Sequence, residues 1–271
     1  MLLLIDGNNS IWRNYYTHKF LTAYGRPTGG IFGMLLSVKL LREQFKGSKI
    51  IVAWDSRSNV RKKIDPTYKD NRKENPDRDK VIRQIPTTER ALSLLGISSV
   101  KQEGLEADDL MAILAKGKRA MLVTNDEDMY QVLSSNVSMF KPTSETVYNL
   151  QHFKAAFQIE PENWPLVLAL AGKSSNNIPG VKGVGLKNAI KFIRQEKVTD
   201  RIADLIATCL DDGTVERYVN LTTIPIIENY YPKAQRQIPN REAFRKLCVE
   251  LKFSAILKGF KDWERLFFTT V

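Results

Sequence analysis

Short apolar runs bounded by polar turns recur through the first 150 residues. Leu2–Ile5, Lys49–Trp54, Ile97–Val100 and Ala120–Thr124 predict four strands, with a further pair expected at Val137–Phe140 and Thr146–Tyr148. Longer segments with helical periodicity lie between them, at Ile31–Phe45, Asp79–Leu95 and Ala107–Lys116. Strands alternating with helices predict an α/β fold with a mainly parallel sheet. From about Leu150 the pattern turns chiefly helical, punctuated by Pro161, Pro165 and Pro179 and by the glycines Gly180, Gly183 and Gly185. The expectation is one continuous, enzyme-sized unit with a helical C-terminal subdomain and no internal repeat.

A chain of 271 residues with 43% hydrophobic and 26% charged residues can bury a large core, which excludes wholesale disorder. Its two cysteines, Cys209 and Cys248, form neither a disulfide framework nor a metal spacing. His18 and His152 are too isolated for a zinc site or a histidine-based triad. No apolar run reaches the roughly 18–20 residues of a membrane span, and the apolar start meets Asp6 at once, so a cytoplasmic setting without a membrane is expected. The net charge of +11 favours a polyanionic partner. Much of it lies in Arg57–Arg83, with ten basic residues against five acidic ones.

Three of the apolar strands run directly, or nearly so, into aspartates: Asp6, Asp55, and the pair Asp126 and Asp128. In a parallel α/β sheet the carboxyl ends of the strands share one edge, where ligands bind. A fourth acidic group, Glu106, Asp108 and Asp109, precedes a helical pattern, and a helix dipole alone also favours acids there. Seven carboxylates gathered at one edge would repel each other unless cations neutralised them. An all-oxygen donor set suits Mg²⁺ or Mn²⁺. On a basic protein, such a site suggests metal-assisted hydrolysis of a phosphodiester.

The run from Asn177 to Lys187 sets Gly180, Gly183 and Gly185 before a helical pattern, with Lys182 and Lys187 adding charge. Such glycines let backbone N–H groups approach a phosphate closely. The spacing matches neither a dinucleotide-binding fingerprint nor a P-loop. A contact to the nucleic-acid backbone that ignores base identity fits better.

These motifs, in this order, resemble the 5′-nuclease superfamily of flap endonucleases and 5′–3′ exonucleases, in its bacterial and phage branch. The resembling segments are Leu2–Arg13, Gly25–Met34, Ala53–Arg72, Gly104–Ala112, Leu122–Leu133 and Asn177–Ala189. The resemblance implies a PIN-like core over residues 1–160, including a helical arch at about 57–85. It also implies a helical subdomain over 161–271, with a helix–hairpin–helix-type (H3TH) motif at about 170–195. Asp6, Asp55, Glu106, Asp108 and Asp109 match the first metal cluster, and Asp126 and Asp128 the start of the second. Arg13, Lys69 and Arg72 match basic positions near the scissile phosphate. The arch, with Arg57, Arg61, Lys62, Lys63 and Tyr68, matches the part that contacts the 5′ single strand. The glycine hairpin matches the grip on the duplex, where K⁺ can be held.

One departure stands out. Where the family pattern places two metal-ligand aspartates before the hairpin, this chain has Lys173 and Asn176. An ammonium there would repel a second ion or take its place, so the resemblance implies one ion or two. The expected activity is a structure-selective, divalent-metal-dependent 5′ nuclease acting as a monomer on DNA with a 5′ flap, nick or 5′ end, in a bacterial cell or a phage-infected host. A cleavage-impaired protein that binds branched DNA, and a nuclease that removes RNA primers at RNA–DNA junctions, are the alternatives. Tyr68 and the Tyr15–Tyr16 pair are candidates for stacking on unpaired bases, or else core aromatics.

Overall fold

The computed structural model describes residues 1–227, 230 and 232–269. Its centre is a six-stranded sheet ordered β5-β4-β1-β6-β7-β8. The strands are β1 (Leu2–Asp6), β4 (Lys49–Trp54), β5 (Ser98–Lys101), β6 (Ala120–Val123), β7 (Val137–Lys141) and β8 (Thr146–Tyr148). All pairings are parallel except β7 with β8. Two-residue strands β2 (Thr22–Ala23) and β3 (Arg26–Pro27) form a separate hairpin.

Alternation along each buried strand divides the core in two. Leu3, Ile5, Ile50, Val52, Met121 and Val123 point to one face, where they pack with α1 (Gly7–Thr17), α2 (Gly29–Gln44) and later α5. Leu2, Leu4, Ile51, Ala53, Ala120 and Leu122 point to the other, toward the helix at Ala107–Ala115. Side chains two residues apart share a face, so one apolar run serves both cores.

The polar segment after β4 holds only short helices, α3 (Arg61–Ile64) and α4 (Arg78–Ile82). The expected helical arch at 57–85 is therefore mostly turns. Pro66 and Pro76 remove N–H donors, Asp65 closes a turn on Thr67, and Lys69 sits at φ +62°. The single helix expected over Asp79–Leu95 is divided for a related reason: Pro86 opens a new helix, α5 (Ile85–Leu94). Next comes α6 (Ala107–Ala115), capped by a reciprocal Glu106–Asp109 box.

The helical part follows, with α7 (Leu150–Phe157), α8 (Trp164–Ala171), α9 (Leu186–Ile193), α10 (Asp200–Asp211) and α11 (Thr214–Thr222). The turn joining α8 to α9 depends on Gly180, whose φ is +70° and whose hypothetical Cβ would lie 2.3 Å from the Gly172 nitrogen. The division of the chain at residue 160 needs one correction. Helices α12 (Arg241–Glu250), α13 (Ser254–Lys258) and α14 (Phe260–Trp263) return to the α1/α2 face, where Phe244, Leu247, Phe253, Ile256 and Trp263 complete that core. Cys209 and Cys248 are free thiols.

Candidate active site

The central strand β1 lies between β4 and β6, all parallel, so its carboxyl end is where the chain switches direction across the sheet. That crevice is the usual ligand site of an open α/β sheet. Asp6 ends β1 and caps α1, accepting the Asn9 N–H at 2.8 Å. Asp55 follows β4; its N–H donates to Asn8 Oδ1 at 2.9 Å and its carboxylate accepts the Ala107 N–H at 2.9 Å. Asn8 was not singled out from the sequence, although its place two residues after Asp6 in a polar run is the signal that could have found it. Gly7 permits the close approach, since a Cβ there would meet the Trp54 ring at 2.6 Å.

Burial and mutual repulsion act on these acids together. The Asp6 carboxyl is pushed up to about 7, first by burial and then by Asp55, with Asp126 adding to it. Burial also raises Asp55, against the Ala107 N–H. Asp108 lies well above the usual carboxylate range through burial and then Asp6, Asp126, Glu106 and Asp55. One of its oxygens, Oδ1, is enclosed without a hydrogen-bond partner. Asp126 accepts the Asp128 N–H at 3.0 Å from its place after β6.

The remaining acids meet cations of the chain itself, although burial and Asp126 still leave Asp128 above its ordinary value. Glu106 is ion-paired with Lys69, accepts from Tyr68 OH at 3.1 Å, and lies 3.2 Å from Arg61. Burial would raise its carboxyl, but Lys69 and Arg61 outweigh that and hold it below the usual range. Asp128 is gripped by the two residues that depart from the family pattern. Lys173 pairs with one oxygen and reaches Asp126 at 3.4 Å, while Asn176 Nδ2 donates to the other oxygen at 3.2 Å. Burial would lower the Lys173 ammonium, yet Asp128 and Asp126 hold it above its ordinary value.

Four candidate residues are placed elsewhere. Asp109 does not face the cluster: it is fully buried, and Arg61 grips both its oxygens at 2.7 and 2.8 Å. Those oxygens also accept the N–H groups of Glu106 and Ile226, so none is left for a metal. Arg61, expected on nucleic acid, is 2% exposed and spends its remaining donors on the carbonyls of Leu221 and Thr223. Tyr68 is buried among Ala169, Ile178, Tyr218 and Leu221, and Tyr15 is buried too, so neither is free to stack on a base. Tyr16 stays half exposed.

Arg57, Lys62, Lys63 and Arg72 are exposed, as are Lys182, Gly183, Gly185 and Lys187 beyond the half-buried Gly180. Arg72 donates to the Ser175 carbonyl at 3.2 Å, and the Lys69 N–H to the Asn176 carbonyl at 3.0 Å. The polar segment is thus fastened to the loop that carries Lys173. Arg13 lies near Asp6, and burial lowers its guanidinium.

Among the described residues, no three His, Cys, Asp or Glu side chains are drawn tightly enough to enclose a metal ion as they stand. The donor chemistry at Asp6, Asp55 and Asp108 nevertheless fits a hard divalent cation. All are carboxylates, one oxygen is orphaned, and Asp55 raises Asp6 while both raise Asp108, a repulsion that a cation would relieve.

The sequence model of the family described as 5′-3′ exonuclease, N-terminal resolvase-like domain, matches residues 1–158. The 5′-3′ exonuclease of Aquifex aeolicus is 33% identical over 201 residues, covering 72% of this chain and 69% of the relative. Among solved structures, flap endonuclease-1 from Methanococcus jannaschii superposes with a TM-score of 0.70 at 16% identity, over 98% of this chain and 92% of that one. The bacteriophage T5 5′-exonuclease with bound zinc gives 0.66 at 18% identity over 98% of both chains. At such identities the two structures speak for the fold. The extent of the family match and the Aquifex relative show that the chain belongs to the 5′-3′ exonuclease family.

Proposed function

We propose that the chain is a structure-selective 5′ nuclease that hydrolyses phosphodiesters at 5′ ends, nicks or flaps of duplex DNA with one Mg²⁺ or Mn²⁺ ion. The observation that carries this reading is the orphaned Asp108 oxygen beside Asp6 and Asp55 at the carboxyl edge of the sheet. Those three acids would hold the ion, with Asp126 at the border of the set. The ion would supply Lewis acidity and a lowered pKa for attacking water. Asn8 and the Ala107 N–H fix Asp55, and Asn9 fixes Asp6, so the ligands are preset.

Lys69 and Arg72 would offset charge developing on the phosphate, and Arg13 approaches from the Asp6 side. The exposed Lys182 and Lys187, around Gly183 and Gly185, would grip the duplex backbone without reading bases, where turn carbonyls could take K⁺. Arg57, Lys62 and Lys63 would meet the 5′ strand. The reading includes action as a monomer. Among the described residues no helix is long and apolar enough to cross a membrane.

The test uses a 5′-labelled flap duplex with Mg²⁺, Mn²⁺ or EDTA, comparing the chain with Asp108→Asn. Cleavage should need the divalent ion and fall about 100-fold or more in the variant, the cost of several kcal/mol of charge stabilisation. No cleavage in any metal, or cleavage indifferent to Asp108→Asn, would sink the reading.

A second reading, binding of branched DNA without cleavage, draws on one observation: Lys173 and Asn176 already saturate Asp128. Tight flap binding without turnover, with cleavage gained only in Lys173→Asp/Asn176→Asp, would establish it. A matched pair of RNA and DNA 5′ ends separates primer removal from DNA processing.

A further inference from the structure

Beside the acid cluster, on the α1/α2 face of the sheet, lies a cavity of about 490 Å³. Its walls include Arg13, Leu40, Leu41, Val123 and Phe140. The volume falls within the roughly 300–1,000 Å³ of sites for small organic molecules. Leu40, Leu41, Val123 and the Phe140 ring make its surface largely apolar, and the Gln44 amide adds a polar group.

One group in this cavity lacks what its chemistry demands. Arg13 Nη1 is enclosed and has no acceptor, and a guanidinium carries five donors and no acceptor of its own. Arg13 as a whole is half-buried, but its enclosed Nη1 lacks a hydrogen bond, a lack that is costlier for a cation than for a neutral group. Of the two acids on the cavity wall, Glu43 is already engaged by Lys39 at 3.0 Å and Glu145 is exposed on the turn between β7 and β8. Asp6 lies near this guanidinium but leaves Nη1 without an acceptor, and an anionic acceptor on a body that suits an apolar, partly aromatic wall fits that donor.

The neighbouring chemistry supplies such a molecule. In phosphodiester hydrolysis the water oxygen bonds to phosphorus, one P–O bond breaks, and a proton ends on the departing oxygen. One product therefore keeps the phosphate as a monoester and the other gains a hydroxyl. We propose that this cavity is a subsite for a nucleoside monophosphate, whose phosphate pairs with the Arg13 guanidinium and whose base lies against Leu40 and Phe140. The source of that nucleotide rests on the nuclease reading above. Its binding does not, because the acids of the cluster form no part of the cavity wall.

The test is calorimetric titration of the protein in EDTA, where no cleavage is at issue. The probes are deoxyadenosine 5′-monophosphate, deoxyadenosine, inorganic phosphate and a 5′-phosphorylated dinucleotide. The monophosphate should bind once per chain, with deoxyadenosine and phosphate each at least about 10-fold weaker, since a charge-assisted hydrogen bond and base burial act together. Arg13→Gln should weaken it by about 10-fold or more. Leu40→Trp, at a position 61% exposed and so tolerant of a larger side chain, should narrow the cavity and weaken it as well. Equal binding of the dinucleotide would assign the subsite to a strand end, and weaker binding to the free nucleotide. Absence of saturable binding, binding of phosphate as tight as the nucleotide, or affinity unchanged by both substitutions would overturn the proposal. These outcomes are independent of whether flap DNA is cut.

Discussion

Replacing Arg61 by methionine would remove a cation on which three parts of the chain converge. All five of its donors are used, on Glu106, on both oxygens of Asp109, and on the carbonyls of Leu221 and Thr223. Asp109 is fully buried, so without Arg61 its charge would keep only the N–H groups of Glu106 and Ile226. Removing one partner of a buried pair costs about 3–5 kcal/mol, because the other charge is stranded. Removing both, as in Arg61→Met/Asp109→Leu, should cost less than the two single changes together, by about 1–3 kcal/mol of coupling. Urea unfolding followed by circular dichroism measures each variant, with an unchanged slope marking a pure stability effect. A loss below about 1 kcal/mol for Arg61→Met, or strict additivity in the cycle, would refute the reasoning. So would weakened flap binding at unchanged stability, the signature of a nucleic-acid contact instead of an internal strut.

Lys173→Asp/Asn176→Asp should raise Mn²⁺ binding from one ion to two per chain in calorimetric titration; an unchanged stoichiometry would mean that these residues do not decide the second ion. In EDTA, thermal stability should fall as pH rises. The Asp6 carboxyl is raised from 3.8 to about 7, so its contribution is fully present below about pH 4 and is lost through about pH 7. The loss is bounded at roughly 4 kcal/mol, which Mg²⁺ should offset at the alkaline end. A Tm that stays flat or climbs across that window would contradict the repulsion drawn here. Gly180→Ala should cost about 1–3 kcal/mol, because φ +70° is strained for alanine and its Cβ would press on the Gly172 backbone. It should also weaken duplex binding, and an unaltered unfolding midpoint would count against the turn as described.

The strands were legible because each is a short apolar run, and the acids because they sit where those runs stop. Helix α1 was not anticipated: Gly7, Asn8, Asn9 and Ser10 form its first turn, and that polar start hides its one buried stripe. Arg61 was unreadable for a different reason. It stands in the basic run Arg61-Lys62-Lys63, and nothing in the order of residues says that the first turns inward while its neighbours remain exposed. Its partner Asp109 likewise sits one residue from Asp108, and only the rotation of about 100° per residue along α6 separates a buried strut from a site acid. The return of α12–α14 to the first face was hidden too, since an amphipathic helix declares that it has an apolar side but not which core receives it.

The distribution of charge at the sheet edge follows from these placements. Glu106 is matched by Lys69, Asp109 by Arg61, and Asp128 by Lys173. Each pairing joins an acid of the core to a cation from the polar segment after β4 or from the loop between α8 and α9. Among the described residues, Asp6, Asp55 and Asp108 are left without a direct ion pair, with Lys69 and Arg72 easing Asp55 and Arg13 near Asp6. Charge compensation by the chain thus stops short of one place, and that place holds the orphaned oxygen. Aspartates in place of Lys173 and Asn176 would leave a second acidic patch near Asp128 in need of an external cation. Here an ammonium on a tethered stem takes that role, exchanging an ion that can leave for one that cannot. A fixed ammonium cannot coordinate water, and burial with Asp126 still holds the Asp128 carboxyl above its ordinary value despite Lys173, so the pairing relieves the charge there only in part.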